Sequence, residues 1–251
     1  MTTPSPVPGD APLDPTRADA AKASVWEDFI DIFYAPSQVF ERRRDGRFGL
    51  ALFVLALLTG ILFYLFYRNT TAIWDAQFER QTADVMRQNP QVTREAMEKG
   101  RSLAGIFGPI GAMVSTAVGA LITGVVLWIV GKFFDAKEDL KPAIMVATYA
   151  QFPRLLFWIV GAVQGLLLGE DRLTSMYSVM LSPARFLDYD SASKVLLALL
   201  SRIDVFVLWA TALLAIGLHV VGRIPKARAW IAAAIVWVLG TIPALLTASR
   251  M

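Results

Sequence analysis

The chain has 251 residues, 55% of them hydrophobic and 18% charged, with a mean hydropathy of +0.51. An ordinary soluble domain is about 25% charged, and a core of this size cannot bury so much hydrocarbon, so the composition excludes a soluble globular protein. No cysteine and a single histidine, His219, exclude disulfide scaffolds, thiol catalysis, Fe–S clusters and Cys/His zinc sites, while a net charge of +3 reads as orientation signals rather than a nucleic-acid surface.

Residues 1–23 read as a disordered tail, because Pro4, Pro6, Pro8, Pro12 and Pro15 crowd it among small polar residues. No basic stretch leads into an apolar one near Met1, so no signal peptide is expected and the first span starts insertion. Residues 24–47 are expected to form amphipathic interfacial helices. Ser24 and Glu27 make a capping box. Trp26, Phe29, Ile30 and Phe33 then share one helical face, away from Glu27, Asp28 and Asp31. Pro36 ends this helix and Ser37 opens a second short one through Val39 and Phe40. The segment either docks a cytosolic partner, with Trp26, Phe29, Phe33 and Tyr34 as docking residues, or lies on the headgroups beside its own bundle. Its acidic residues weigh toward the second.

The fold class is all-α. Five transmembrane helices are expected in a membrane domain over residues 48–249, with spans at 48–67, 111–132, 145–169, 200–222 and 229–249, each near the ~20 residues that crossing a bilayer takes. The first span carries no charge and ends in Phe63, Tyr64, Phe66 and Tyr67, placed as an interfacial aromatic belt. Residues 102–131 are uncharged but too long for one straight span. Gly105, Gly108, Pro109 and Gly111 suggest a bent entry before the second span proper. That span carries two tracks of small residues, Gly111/Ser115/Gly119 and Ala112/Thr116/Ala120/Gly124, which allow close helix approach. The third span carries a doubled GxxxG ridge, Gly161, Gly165 and Gly169, read as packing within the chain, with a homo-oligomer as the other use. Between the first two spans, residues 70–88 read as one outer helix and Thr93 to Lys99 as a second, stopped by Gly100. Asn69-Thr70-Thr71 is a formal glycosylation sequon.

Lys and Arg near the span ends set the orientation. Arg42, Arg43, Arg44 and Arg47 abut the first span, Lys132, Lys137 and Lys141 lie between the second and third, and Arg223, Lys226 and Arg228 lie between the fourth and fifth. All fall on one side when the N-terminus is cytosolic and the C-terminus outside. No H-E-x-x-H, Ser-His-Asp or phosphate-loop pattern is present, so neither an enzyme nor a cofactor is expected. Intramembrane ionisable groups are costly, which singles out Gln151, Arg154 and Asp204; Arg154 and Asp204 pair only if the third and fourth spans both begin early.

Three stretches carry a family resemblance. Asp31-Ile32-Phe33-Tyr34-Ala35-Pro36 echoes a D-L-Y-G-P stretch before the first span, with Ala35 at the glycine and an added aromatic. Tyr149-Ala150-Gln151-Phe152-Pro153 matches the Y-x-x-x-P part of G-Y-x-x-x-P, with Thr148 at the glycine. Asp204 to Trp209, followed by Ile216-Gly217-Leu218, looks like a fourth-span pattern of prokaryotic members. In order, over about residues 28–248, they resemble the Yip family of five-span membrane proteins, known in eukaryotes for interacting with Rab-type GTPases. Ala- and Arg-rich usage points to a bacterial inner-membrane protein, for which that partner is not carried over. The resemblance adds Tyr149 to the polar candidates. The expected function is a non-enzymatic membrane scaffold or adaptor working in the lipid bilayer, with a protein partner at the cytosolic N-terminal segment and no nucleic acid. The alternative is a transporter or lipid-handling protein with a polar cavity at spans three and four.

Overall fold

The computed structural model describes residues 24–250, so the expected tail at 1–23 lies outside the described residues. Among those residues the structure is helical, without strands. Two short helices, α1 (Val25–Asp31) and α2 (Pro36–Arg42), precede the first span, α3 (Gly49–Asn69). Next come α4 (Thr71–Gln88) and the long α5 (Arg94–Lys132), which contains the second span. The third span is divided into α6 (Leu140–Ala150) and α7 (Pro153–Leu167). Three 3-10 turns and α8 (Lys194–Ser201) lead to the fourth span, α9 (Val205–Gly222). The fifth is α10 (Lys226–Leu239) with α11 (Ile242–Ala248). By length and apolarity, five of these units can cross a membrane.

The third span is the centre. Every residue of α6 from Ala143 to Ala150 is buried. A helix that is apolar all round must be enclosed, and α6 packs against α3, α5 and α9. The fully buried Tyr149, Met145, Leu127, Leu213 and Leu218 form the middle of the main core. Beyond it α7 turns Ile159, Val163, Leu166 and Leu167 outward, to where the lipid tails lie. The break between α6 and α7 follows from Pro153, which has no N–H to continue the α-helical ladder. Gln151, Phe152, Arg154 and Leu155 instead donate to carbonyls three residues back, at 2.9–3.2 Å, so the turn tightens and no N–H is orphaned.

Two sequence expectations differ from the structure. The stop at Gly100 does not occur: α5 runs as one helix of 39 residues with Pro109 inside it, about 58 Å at 1.5 Å per residue. The small residues receive neighbours instead. Side chains of Tyr67 and Phe63 lie against Gly105 and Gly108, within 3.1 Å of where a Cβ would stand. With no water to take up freed backbone groups, a helix in lipid keeps its ladder through Gly and Pro. The expected aromatic belt also turns inward. Phe63, Phe66 and Tyr67 form edge-to-face and tilted contacts with Trp74 and Trp158, tying the first span to α4 and α7; only Tyr64 of the four is exposed.

At the end away from the basic residues, α4 and the first turns of α5 form an antiparallel hairpin joined by the Asn89–Val92 turn. Arg94 pairs with Glu79 at 2.5 Å, and Arg101 pairs with Asp75. A second brace holds the two loops of that end together: Arg80 binds Asp190 through both carboxylate oxygens at 2.8 and 2.9 Å and lies over the Tyr189 ring.

Candidate functional site

The N-terminal helices are part of the bundle. Ser24 caps α1 through the expected capping box, and its inward face delivers Asp28, Phe29, Ile32 and Phe33. Phe29 stacks on Phe152 with ring centroids 5.1 Å apart, and Phe33 meets Trp209 edge to face at 5.7 Å. Val39 and Phe40 of α2 are fully buried with Ile32. Gly46, at φ 78°, sits against the Lys141–Pro142 backbone at the basic end; a side chain there would meet both a strained backbone and Pro142. Phe152 lies ten residues beyond Pro142, so the helix pair climbs the bundle by about 15 Å rather than resting in one headgroup plane.

A buried ionic clamp fixes that arrangement. The Asp28 carboxylate is fully buried. It accepts from Arg42 at 2.7 and 3.0 Å and from Arg43 at 2.5 Å, with the Tyr149 hydroxyl 3.5 Å away. Arg42 reaches on to Asp31 at 2.5 Å. The Tyr34 hydroxyl donates to Asp31, which with Arg42 holds the Asp31 carboxyl below its usual range. Arg44 donates to the Val220 carbonyl and pins the turn after α2 to the fourth span. Two acids and two arginines in one buried network satisfy one another. The outward row of the same segment, Trp26, Ile30 and Tyr34, is left 64%, 65% and 72% exposed, beside exposed Glu27 and Glu41. Of the four expected docking residues, therefore, Trp26 and Tyr34 face out while Phe29 and Phe33 pack within the chain.

The intramembrane polar residues fall into two places. Tyr149 belongs to the clamp. Gln151 and Arg154 line a cavity of about 100 Å³ between the second, third, fourth and fifth spans, where Arg154 donates to the Gln151 side-chain oxygen at 3.0 Å. Asp204 is elsewhere: it is buried as the N-cap of α9, accepting from the Phe206 N–H and the Leu181 N–H, both at 2.9 Å. Among the described residues no ion pair joins Arg154 to Asp204. The second arginine on the cavity is Arg202, which lies inside the expected span at 200–222 beside Asp204 but was not singled out with the other intramembrane ionisable groups. Its signal was its place two residues before the N-cap.

The glycine ridge divides as well. Gly161 faces Phe66 and Gly165 faces the Asn69 backbone and the Thr70 methyl group, both at the first span's far end, while Gly169 lies beyond the end of α7 beside Asp171. In the second span, Ala120 and Gly124 meet the core, and Gly124 lies against Ile144. Gly111 and Gly119 of the other track have open space before them. His219 is satisfied by the Ile224 carbonyl at 2.7 Å. Among the described residues, no group of His, Asp and Glu is placed to hold a metal.

At the basic end one buried acid has no hydrogen-bond partner for its carboxylate among the described residues, although the Lys132 ammonium sits on its backbone carbonyl at 2.6 Å. Glu138, in the loop between α5 and α6, is 5% exposed, and neither carboxylate oxygen has a hydrogen bond. It fits between Gly131 and Gly222, where added Cβ atoms would stand 2.8 and 2.6 Å from its two oxygens. Burial holds this carboxyl above its usual range. A carboxyl that binds its proton more tightly folded than unfolded stabilises at acidic pH, and the stability is lost as pH rises through its folded value. Glu138→Gln, which keeps the shape without the charge, is expected to raise the melting temperature at neutral pH and to flatten its decline above about pH 4.5. Equal melting curves across that range for both proteins would refute the ionic origin.

Searches of curated proteins and of solved structures give no match to this chain. The family model for the Yip1 domain matches residues 30–247, from the end of α1 through the last helix. The matched stretch takes in Asp31 to Pro36, Tyr149 to Pro153 and all five apolar spans, and on that extent the chain belongs to the Yip1 domain family of multi-pass membrane proteins.

Proposed function

We propose that this protein is a non-enzymatic membrane adaptor, which uses its N-terminal helix pair to hold a protein partner on the cytosolic face of a bacterial inner membrane. The observation that carries this reading is the Asp28–Arg42–Arg43 clamp. It locks the two helices to each other, the Phe29–Phe152 and Phe33–Trp209 contacts hold the pair on the bundle, and Trp26, Ile30 and Tyr34 are left exposed as a row beside Glu27 and Glu41. Aromatic anchors held in place before binding lose little freedom on association, and the acidic flanks suit a partner with basic groups around an apolar patch. The N-terminus is cytosolic and the C-terminus outside in this reading, following the basic residues around Arg47, Lys141 and Arg228. A reporter that is active only outside the cytosol should stay silent when fused before residue 24; activity there overturns the orientation.

Removing residues 24–40 would also remove Ile32, Val39 and Phe40 from the core, so surface changes make the better test. Capture from native membranes should recover a stoichiometric protein partner with the wild-type chain. The double change Trp26→Ala, Tyr34→Ala should lose it while its melting temperature stays put. No partner with wild type, or equal capture by both, overturns the adaptor reading. A second reading, a lipid-handling or transport protein, is favoured by one observation, the two-arginine cavity between the second, third, fourth and fifth spans.

A further inference from the structure

We propose that the cavity bearing Arg154 and Arg202 is an oxyanion site within the membrane, taking the carboxylate or phosphate group of a lipid or of a small free anion. The proposal rests on the cavity of the second reading and is independent of the adaptor reading.

The depth of the cavity comes from two cross-braces. Gly46 meets Pro142 at the basic end of the bundle, and Gly165 meets Asn69 at the far end of the first span. Between these levels the third span advances from 142 to 165. Arg154 stands twelve residues beyond Pro142 and eleven short of Gly165, about 18 and 16 Å by helical rise. A hydrocarbon layer of about 30 Å between the same levels puts Arg154 near its middle, where an unpaired guanidinium is most costly.

The cavity supplies cations without an anion. Gln151 takes one hydrogen bond from Arg154, through Nη1. Arg202 is held by its Nε–H, which donates to Thr241 at 3.1 Å, and its carbonyl accepts from the Trp237 indole at 3.2 Å. Within the described residues, the Nη atoms of Arg202 and the Nε and Nη2 of Arg154 make no hydrogen bond. Thr123 and Thr211 are the remaining polar side chains on the wall, and no carboxylate lines it. Asp204 is near enough for its charge to act on Arg154, but it does not line the cavity, and each of its oxygens accepts a backbone N–H, from Phe206 and from Leu181. Two guanidinium groups on one hollow repel each other unless something negative lies between them, and their forked donors match carboxylate and phosphate oxygens. A volume of about 100 Å³ exceeds the ~30 Å³ share of one water several-fold, which suits a carboxylate or phosphate group. Arg154 and Gly240, both exposed, give access from the side.

The test uses the full chain in nanodiscs of phosphatidylcholine, with melting temperature and intrinsic tryptophan fluorescence as readouts. Inorganic phosphate and acetate are the free-anion probes. Phosphatidylglycerol and oleate, titrated into the disc, are the lipid probes. At least one probe should raise the wild-type melting temperature saturably. Its apparent affinity should weaken at least tenfold in Arg154→Gln and in Arg202→Gln, whereas Arg223→Gln at the basic end should leave it unchanged. A free anion acting alone assigns a solute site, and a lipid probe acting alone assigns a lipid site. Without any probe, Arg154→Gln should melt higher than wild type, because it removes one of two facing like charges; this shows that the variant folds. No saturable shift with any of the four probes, or equal affinity in wild type and both cavity variants, overturns the proposal. Failure here leaves partner capture unaffected, and failure of capture leaves this site unaffected.

Discussion

Replacing Asp28 with Asn or Ala is expected to give the largest loss of stability of any single polar change in the N-terminal segment. The carboxylate is fully buried and faces Arg42 and Arg43, whose side chains are 9% and 14% exposed. Removing it leaves two guanidinium groups in a closed space with Asp31 alone to answer them. Breaking a buried ion pair from one side costs about 3–5 kcal/mol, because the other charge stays desolvated. The effect has a recognisable pattern. Helices α1 and α2 should loosen from the third and fourth spans, so amide exchange should rise in 25–42 while the spans stay protected. Arg42→Met and Arg43→Met combined with Asp28→Leu should recover much of the loss, since only removing both arginines with the carboxylate leaves no uncompensated charge facing position 28. Unchanged exchange in Asp28→Ala would show that the aromatic contacts of Phe29 and Phe33 hold the pair without the clamp.

Gly165→Leu is expected to disrupt the joint between the first and third spans. A Cβ at Gly165 would overlap the Asn69 carbonyl oxygen and crowd the Thr70 methyl group. The nearest atom is backbone, so no rotamer change relieves it. Forcing bulk into a packed contact costs about 1–3 kcal/mol and more where the neighbour cannot move, and the close approach of small residues is what joins helices in lipid. We expect a drop in detergent melting temperature of several degrees or loss of the monodisperse species. Gly111→Ala, with nothing within 4 Å of its Cβ position, should be neutral or slightly stabilising. Wild-type melting of Gly165→Leu would mean that the joint is not tight.

The span count was legible because uncharged runs of bilayer length are a strong physical signal, and the helical class followed from it. Helix ends inside the membrane were less legible. Gly105, Gly108 and Pro109 are breakers in water, where freed backbone groups find solvent, and they are seats for Phe63 and Tyr67 in lipid. The candidate site was legible only where it is local. Ser24 and Glu27 announce their cap at a spacing of three. Asp28 looked like one more surface acid, since its partner Tyr149 lies 121 residues away and nothing nearby marks it as buried. Arg154 stood out as a charge in an apolar run, but its companion on the cavity is Arg202 rather than Asp204, whose oxygens cap α9 at Phe206 and hold the Leu181 loop. Pairing across separate spans depends on relative heights and rotations that no single segment encodes.

The docked position of α1 has a consequence for assembly at the ribosome. The first helices made must wait for partners in the third and fourth spans. Phe29 waits for Phe152 and Phe33 waits for Trp209, which lie 123 and 176 residues downstream. At about 5–20 residues per second, the second of these rings follows some ten to thirty-five seconds later. Through that interval the acids and arginines of the segment stand in water or among headgroups, and they become enclosed only when the third and fourth spans have entered. Closure of the N-terminal helices therefore marks the moment at which the bundle has been inserted through its fourth span, and a chain truncated before Trp209 cannot seat Phe33.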